Sequence, residues 1–432
     1  MKIKALILLI FLKISLQITF PFNRENFTLL SGKNIHSLLF ENKIQTNILI
    51  GTPQIKIPLN IKTQEYTLSI VSSNIKIKEK IPLFIERNSS SIKFFYLDPD
   101  DYLNEDFTFG SLGTETFNFG KENITLEQIQ FLLAYGLNVI ESGVLGLNLF
   151  YKNFNLKFTN IINQLKQRKI INESVFYFTF NDYNNGDLII GEYPHESNND
   201  KFNKDDFISF SIYIKDFNTQ KYNFLFDKIF FNDLEIENNI ECDISIENGM
   251  IKVNKVLFEK IEEIFFEDYV KKNICEKVVL FNGNFSYVCN EKLNVKKFKE
   301  VKFMIRRINF ILDGNDLFYK FENKYYFLIY YGNDSNNCVI GKPFFNKYTL
   351  IFEHDKKTIG FYNSKNNKKV NVFGIFIVIF LFIVVLVLIV FIFIYINKRK
   401  TLKQKALEMN EEDFEYNKNL NDNNNNNKAF GF

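Results

Sequence analysis

The chain has 432 residues, enough for one large or two medium domains with an ample core. Lys and Arg number 53 against 50 Asp and Glu, and the formal charge of +3 gives no footing for nucleic acid as a partner. Phenylalanine (51) and tyrosine (21) are abundant and tryptophan is absent, a bias that points to no function.

Met1-Lys2-Ile3-Lys4 followed by the apolar block Ala5 to Leu12 has the layout of a secretory signal, a basic start and an apolar stretch too short to span a bilayer. Residues 1–20 are expected to be a signal peptide, with cleavage between Ser15 and Phe22. From there to residue 364, short alternating apolar runs recur between Asn, Asp, Gly and Ser breakers, as at Thr46 to Ile50, Phe176 to Phe180 and Tyr325 to Tyr330. This is the texture of an all-β domain. Helical spacing interrupts it twice, from Phe158 to Lys166 and from Val256 to Phe265. Each helix follows a strand-rich stretch of similar length, which points to two like halves.

The four cysteines, Cys242, Cys275, Cys289 and Cys338, allow two disulfides in a secreted domain. Cys275 and Cys289 bracket Phe281-Asn282-Gly283-Asn284, a turn signal between apolar runs, and are expected to close a hairpin. By default Cys242 then pairs with Cys338. Histidine occurs only at 36, 195 and 354, scattered, so no metal site and no cofactor is expected. Asn26, Asn88, Asn123, Asn172, Asn284 and Asn333 stand in Asn-x-Ser/Thr sequons and are candidate glycosylation sites.

Val372 to Ile396 is almost wholly Ile, Val, Leu and Phe without one charge, long enough to cross a bilayer as a single helix. Lys398, Arg399, Lys400, Lys403 and Lys405 outnumber Lys365, Lys368 and Lys369 on the other side. A single-pass type I membrane protein is expected, with the ectodomain lumenal or extracellular and residues 397–432 cytosolic. The tail is acidic from Glu408 to Glu415 and nearly pure Asn/Asp from Asn421 to Asn427, a composition of disordered chain.

Further landmarks fall in a telling order: Ile50-Gly51-Thr52-Pro53, Phe107-Thr108-Phe109-Gly110-Ser111, Ser142-Gly143-Val144-Leu145-Gly146-Leu147, Gly186-Asp187-Leu188-Ile189-Ile190-Gly191-Glu192, Cys338-Val339-Ile340-Gly341-Lys342-Pro343-Phe344-Phe345 and Ile359-Gly360-Phe361. Over roughly residues 44–364 this series resembles the pepsin-like aspartic proteases (peptidase A1). The resemblance implies a bilobed acid protease fold of two β-barrel-like lobes, an N-terminal one over 21–195 and a C-terminal one over 196–364, followed by the transmembrane helix over 372–396. It also implies catalysis by two aspartates, each in an Asp-Thr/Ser-Gly loop, under a flap carrying a tyrosine.

This chain departs from that pattern at each place. The spacing from Ile50 puts Lys62 at the first aspartate, Thr63 at the matching threonine and Gln64 at the glycine. The second loop lies ahead of the Val256 helix. Anchoring on the helix puts the aspartate at Ser245, and anchoring on an acid-x-Gly pattern puts it at Glu247, followed by Asn248 and Gly249. Phe109, beside Gly110, stands where the flap tyrosine is usual. Two carboxylates sharing a proton are the minimum for this chemistry, because one activates water while its neutral neighbour protonates the carbonyl. The expected protein is thus a membrane-anchored, proteolytically inactive member of the family. Thr63, Gln64 and Gly249 would line its cleft, which could hold an extended peptide or protein segment by backbone pairing, and Lys62 would form an ion pair with Glu247. The alternative is an active, divergent aspartic endopeptidase of the secretory pathway that uses Glu247 and another acid such as Glu65.

Overall fold

The computed structural model describes residues 17–24, 39–40, 43–72, 83–95, 110–134, 143–149, 159–181, 185–214, 221–280, 283–332, 338–363, 386, 388 and 398–400. Contacts divide the chain into two units, residues 1–363 and 364–432.

The first unit is built on two large sheets. One runs, edge to edge, through Phe207–Ser211, Thr358–Tyr362, Ile351–Glu353, Val175–Phe180, Asn185–Ile190, Ile18–Arg24, Ile44–Ile50, Ile55–Lys62, Gly143–Gly146, Leu68–Val71, Ile124–Ala134, Gly110–Phe119 and Lys93–Phe95. The other runs through Ile308–Leu312, Val301–Ile305, Asn223–Phe231, Leu234–Ile244, Cys338–Ile340, Ile251–Val253, Ile329–Tyr331, Phe285–Asn290, Lys324–Phe327 and Phe318–Phe321, with Cys275–Val279 added to Phe285–Asn290. The family fold expected from sequence is therefore present, and mostly β. The halves are not sealed off at residue 195, however. Three strands beyond that point join the first sheet, where Phe352 lies opposite Phe176 and their rings stack at 4.6 Å.

Alternation explains the strands. Ile44, Thr46, Ile48 and Ile50 face the core while Asn47 is exposed, as a half-buried strand requires. The run from Tyr325 to Tyr330 is not one strand: it breaks at Leu328, whose N–H turns to the carbonyl of Leu317 while its own carbonyl accepts from Ile251. The first helix spans Ile161–Gln167, starting later than its apolar spacing suggests because the Asn160 side chain caps it by accepting from Ile162 N. The second runs from Lys255 through a π-helical turn at Glu262–Phe266 to Lys271, longer than the spacing indicates, with Asn254 as its cap.

Both expected disulfides form, Cys275–Cys289 across a hairpin and Cys242–Cys338 between parallel strands. The basic and apolar start of the signal segment lies outside the described residues. So does the 372–396 stretch, apart from Leu386 and Leu388, which are helical and exposed, as are residues 398–400. Among the described residues, no helix is long and apolar enough to cross a membrane.

Candidate functional site

Strand Ile55–Lys62 runs parallel to Gly143–Gly146 with Ile61 opposite Leu145. Strand Leu234–Ile244 runs parallel to Cys338–Ile340 with Ile244 opposite Ile340. In each half a third strand crosses antiparallel, pairing Ser69 with Val144 and Lys252 with Val339. A glycine follows Leu145 and another follows Ile340, and a Cβ there would collide with backbone: Gly146 with Thr67, Gly341 with Met250. The first and third strands of the two halves superpose at one offset. Ile61 matches Ile244, Thr67 matches Met250 and Ser69 matches Lys252, so Lys62 matches Ser245, Thr63 matches Ile246 and Gln64 matches Glu247. The two sequence placements of the second loop thus separate, and it is Ser245 that stands as the counterpart of Lys62.

Glu247, two residues on, reaches across to the other half. Its Oε1 accepts from the backbone N–H of Gln64 at 2.9 Å. Its Oε2 accepts from the Thr63 hydroxyl and the Ser245 hydroxyl, both at 2.8 Å. Gln64 answers in the other direction, donating from Nε2 to the Ile244 carbonyl at 2.5 Å, and the fully buried Thr63 hydroxyl accepts from Ile246 N at 3.1 Å. The loops that would each carry a catalytic aspartate are thus tied together by the side chains at their third positions. Neutral donors from Thr63, Gln64 and Ser245 take the oxygens of Glu247, the carboxylate expected to pair with Lys62. The backbone carbonyl of Lys62 accepts from Leu147, and that of Glu65 from Asn148.

Asp243, an acid that sequence reasoning passed over, lies two residues before Ser245. Burial pushes its carboxyl up, offset in part by Lys221, whose ammonium stands 3.9 Å away. Among the described residues, no cluster of His, Cys, Asp or Glu is placed to hold a metal.

Gly249, expected at the cleft surface, is buried instead. Its N–H donates to the Phe40 carbonyl, and a side chain there would strike the carbonyl of Leu39. Leu39 is itself fully buried against Met250, Leu328 and Tyr330, with Phe40 edge-on to the Tyr330 ring at 5.0 Å. Sequence reasoning missed this segment, which carries no motif beyond two adjacent apolar residues. Lys93–Phe95 pairs antiparallel with Gly110–Phe119, the strand that begins at the expected flap glycine. Phe109 lies outside the described residues, and Gly110 opens the strand opposite Ala134. Of the sequons, Asn88, Asn123 and Asn172 are exposed, Asn284 is buried, and Asn26 and Asn333 lie outside the described residues.

The family model of eukaryotic aspartyl proteases matches residues 44–364, the whole span that carries these two loops. The chain belongs to this family. Among curated proteins none matches the chain. By register, Lys62 and Ser245 occupy equivalent positions in the two loops, and so do Gln64 and Glu247.

Proposed function

We propose that this aspartyl protease family member does not hydrolyse peptides, and that it acts as a membrane-anchored protein whose cleft holds an extended peptide segment. One observation carries the reading. The equivalent positions of the two loops hold a lysine and a serine, and the nearby carboxylate, Glu247, is occupied by three donors from Thr63, Gln64 and Ser245. Family catalysis needs one carboxylate to take a proton from water while a second gives one to the carbonyl. A lysine ammonium has no lone pair for the first task, and a serine hydroxyl is too weak an acid for the second. A cleft without that chemistry still offers strand edges to which a peptide can add by main-chain pairing.

Anchoring rests on the uncharged stretch Val372 to Ile396 and the basic cluster after it, with the exposed helical Leu386 and Leu388 in keeping with a lipid-facing surface. Strand Ile18–Arg24 pairs with Asn185–Ile190 from Ile18 onward, which favours signal cleavage ahead of Ile18. Asn88, Asn123 and Asn172 are the sequons we propose to be glycosylated.

The competing reading, an active endopeptidase built on Glu247, draws on the presence of that carboxylate between the loops. The purified chain, incubated with a peptide library at acid pH with and without a pepstatin-type inhibitor, separates the two. No cleavage is expected. Pepstatin-sensitive cleavage that disappears in Glu247→Gln would overturn the proposal.

A further inference from the structure

His354 follows strand Ile351–Glu353, where the end of the folded unit pairs with Val175–Phe180 from its first half. It is 6% exposed, and it is held from two sides. Its backbone N–H donates to the Ser174 carbonyl at 2.8 Å, and its ring Nδ1 lies 3.2 Å from the hydroxyl of Tyr222. Tyr222 is fully buried, edge-on to Phe352 at 4.8 Å and to Phe176 at 5.7 Å. The backbone carbonyl of the same Tyr222 accepts from Ile244 N at 3.0 Å, the residue before Ser245. One residue thus touches both strands of the junction through its ring and, through its backbone, the segment that leads into the second loop.

The chemistry around the imidazole favours its neutral form. Neutral histidine offers Nδ1 as an acceptor to the Tyr222 O–H. The imidazolium has no acceptor. It would have to donate to the tyrosine oxygen, and the buried phenol hydrogen would lose its acceptor. The group bonded to the ring supplies no counter-charge: burial pushes the Tyr222 phenol far up, so it stays neutral. The charges that act on His354 are in its own turn, where exposed Asp355 favours the proton and exposed Lys357 opposes it. Burial outweighs both and lowers the imidazole to about 4 from 6.5.

We propose that His354 is an acid-sensitive catch on the junction between the two halves, and that its protonation releases Tyr222 and loosens the strand that carries the second loop. The sign follows from linkage. The opened junction takes up its proton near the ordinary histidine value and the closed one only near 4, so the closed form is fully favoured above about pH 6.5. As pH falls from there toward 4, opening gains up to tenfold per unit, on the order of a few hundredfold in all. The catch would keep the protein closed in neutral surroundings and relax it in an acidic compartment. It does not depend on whether the cleft hydrolyses peptide.

The test is hydrogen exchange of the full chain in detergent at pH 7.5, 5.5 and 4.5, corrected for intrinsic rates and read on peptides covering 172–180, 222–226, 242–247 and 351–354. Expected is a loss of protection in these four segments as pH falls, ahead of the rest of the fold. In His354→Gln, which retains a neutral acceptor for Tyr222, that loss should shrink by tenfold or more. Equal pH dependence in both proteins would overturn the proposal. Should the variant fail to fold, the wild-type chain still decides. It has three histidines, so carbon-labelled imidazole resonances can be followed individually, with His36→Gln and His195→Gln giving the assignment. A His354 that stays neutral to below pH 5 while the junction stays closed supports the catch, and one that titrates near 6.5 with protection intact refutes it.

Discussion

Removing the Glu247 carboxylate should loosen the join between the two loops, and its cost can be worked from the bonds it makes. Glu247→Ala leaves three donors without their acceptor: Gln64 N, the Thr63 hydroxyl and the Ser245 hydroxyl. Hydrogen bonds to a charged group contribute about 1.5–3 kcal/mol each, but Glu247 is only half buried, and water can reach part of the vacated space. The Thr63 hydroxyl is fully buried, so its loss is the hardest to offset. Together these give about 2–4 kcal/mol, against about 1–2 for Glu247→Gln, which keeps one acceptor oxygen. For a folded unit of this size that is a fall in melting temperature of roughly 3–6 °C for the alanine variant. The assay is thermal and denaturant unfolding of Glu247→Ala, Thr63→Val and the double variant. Because the two side chains touch at 2.8 Å, the double variant should fall short of the sum by about 1–2 kcal/mol. A Glu247→Ala change within 0.5 kcal/mol of wild type, or strict additivity with Thr63→Val, would refute the inter-loop tie.

Gly249→Ala should cost about 2–3 kcal/mol, because its Cβ meets the Leu39 carbonyl, while Gly283→Ala, which meets nothing and pays only for its φ of +76°, should cost about 1 kcal/mol in the same unfolding assay. Cys242→Ala with Cys338→Ala opens a crosslink between residues 96 apart and should lower stability by about 4–5 kcal/mol, read as a shift in denaturant midpoint. Installing both acids, as Lys62→Asp with Ser245→Asp, should yield no pepstatin-sensitive cleavage, since Glu247 and Gln64 still hold the space between the loops; activity is expected only after Gln64→Gly and Glu247→Gly are added, and activity in the double variant would show those two side chains to be harmless. Buried Glu353 would be raised by desolvation alone, but bonds from Lys356, Thr358 and Tyr193 hold it below its ordinary 4.5, so the stability it contributes is present above that pH and is lost as pH falls; Glu353→Gln should flatten the acid limb of an unfolding profile measured from pH 6 to 3.

Legibility in the sequence followed the range of the interactions involved. The strands at Thr46 and Phe176 and the Cys275–Cys289 hairpin were readable because alternation and turn residues act over a few positions. Lys62 was readable for the same reason, since no gap intervenes between it and Ile50. The second loop has no such anchor of its own, and of its two placements the sequence made Glu247, with Gly249, the better chemical match over Ser245. What separates them is parallel pairing with Cys338–Ile340, nearly a hundred residues away, a relation no local pattern encodes. The tie across the loops is further out of reach. It depends on Gln64 and Glu247, about 180 residues apart, whose side chains both cross between the loops. On the proposed reading, in which both stand at family glycine positions beside lost aspartates, the Glu247 carboxylate lies near the centre but is aimed at the opposite loop's threonine and backbone, where it fastens the halves and is not free to share a proton with a partner acid. The same carboxylate is therefore what the tie needs and what a catalytic pair installed at Lys62 and Ser245 would have to displace.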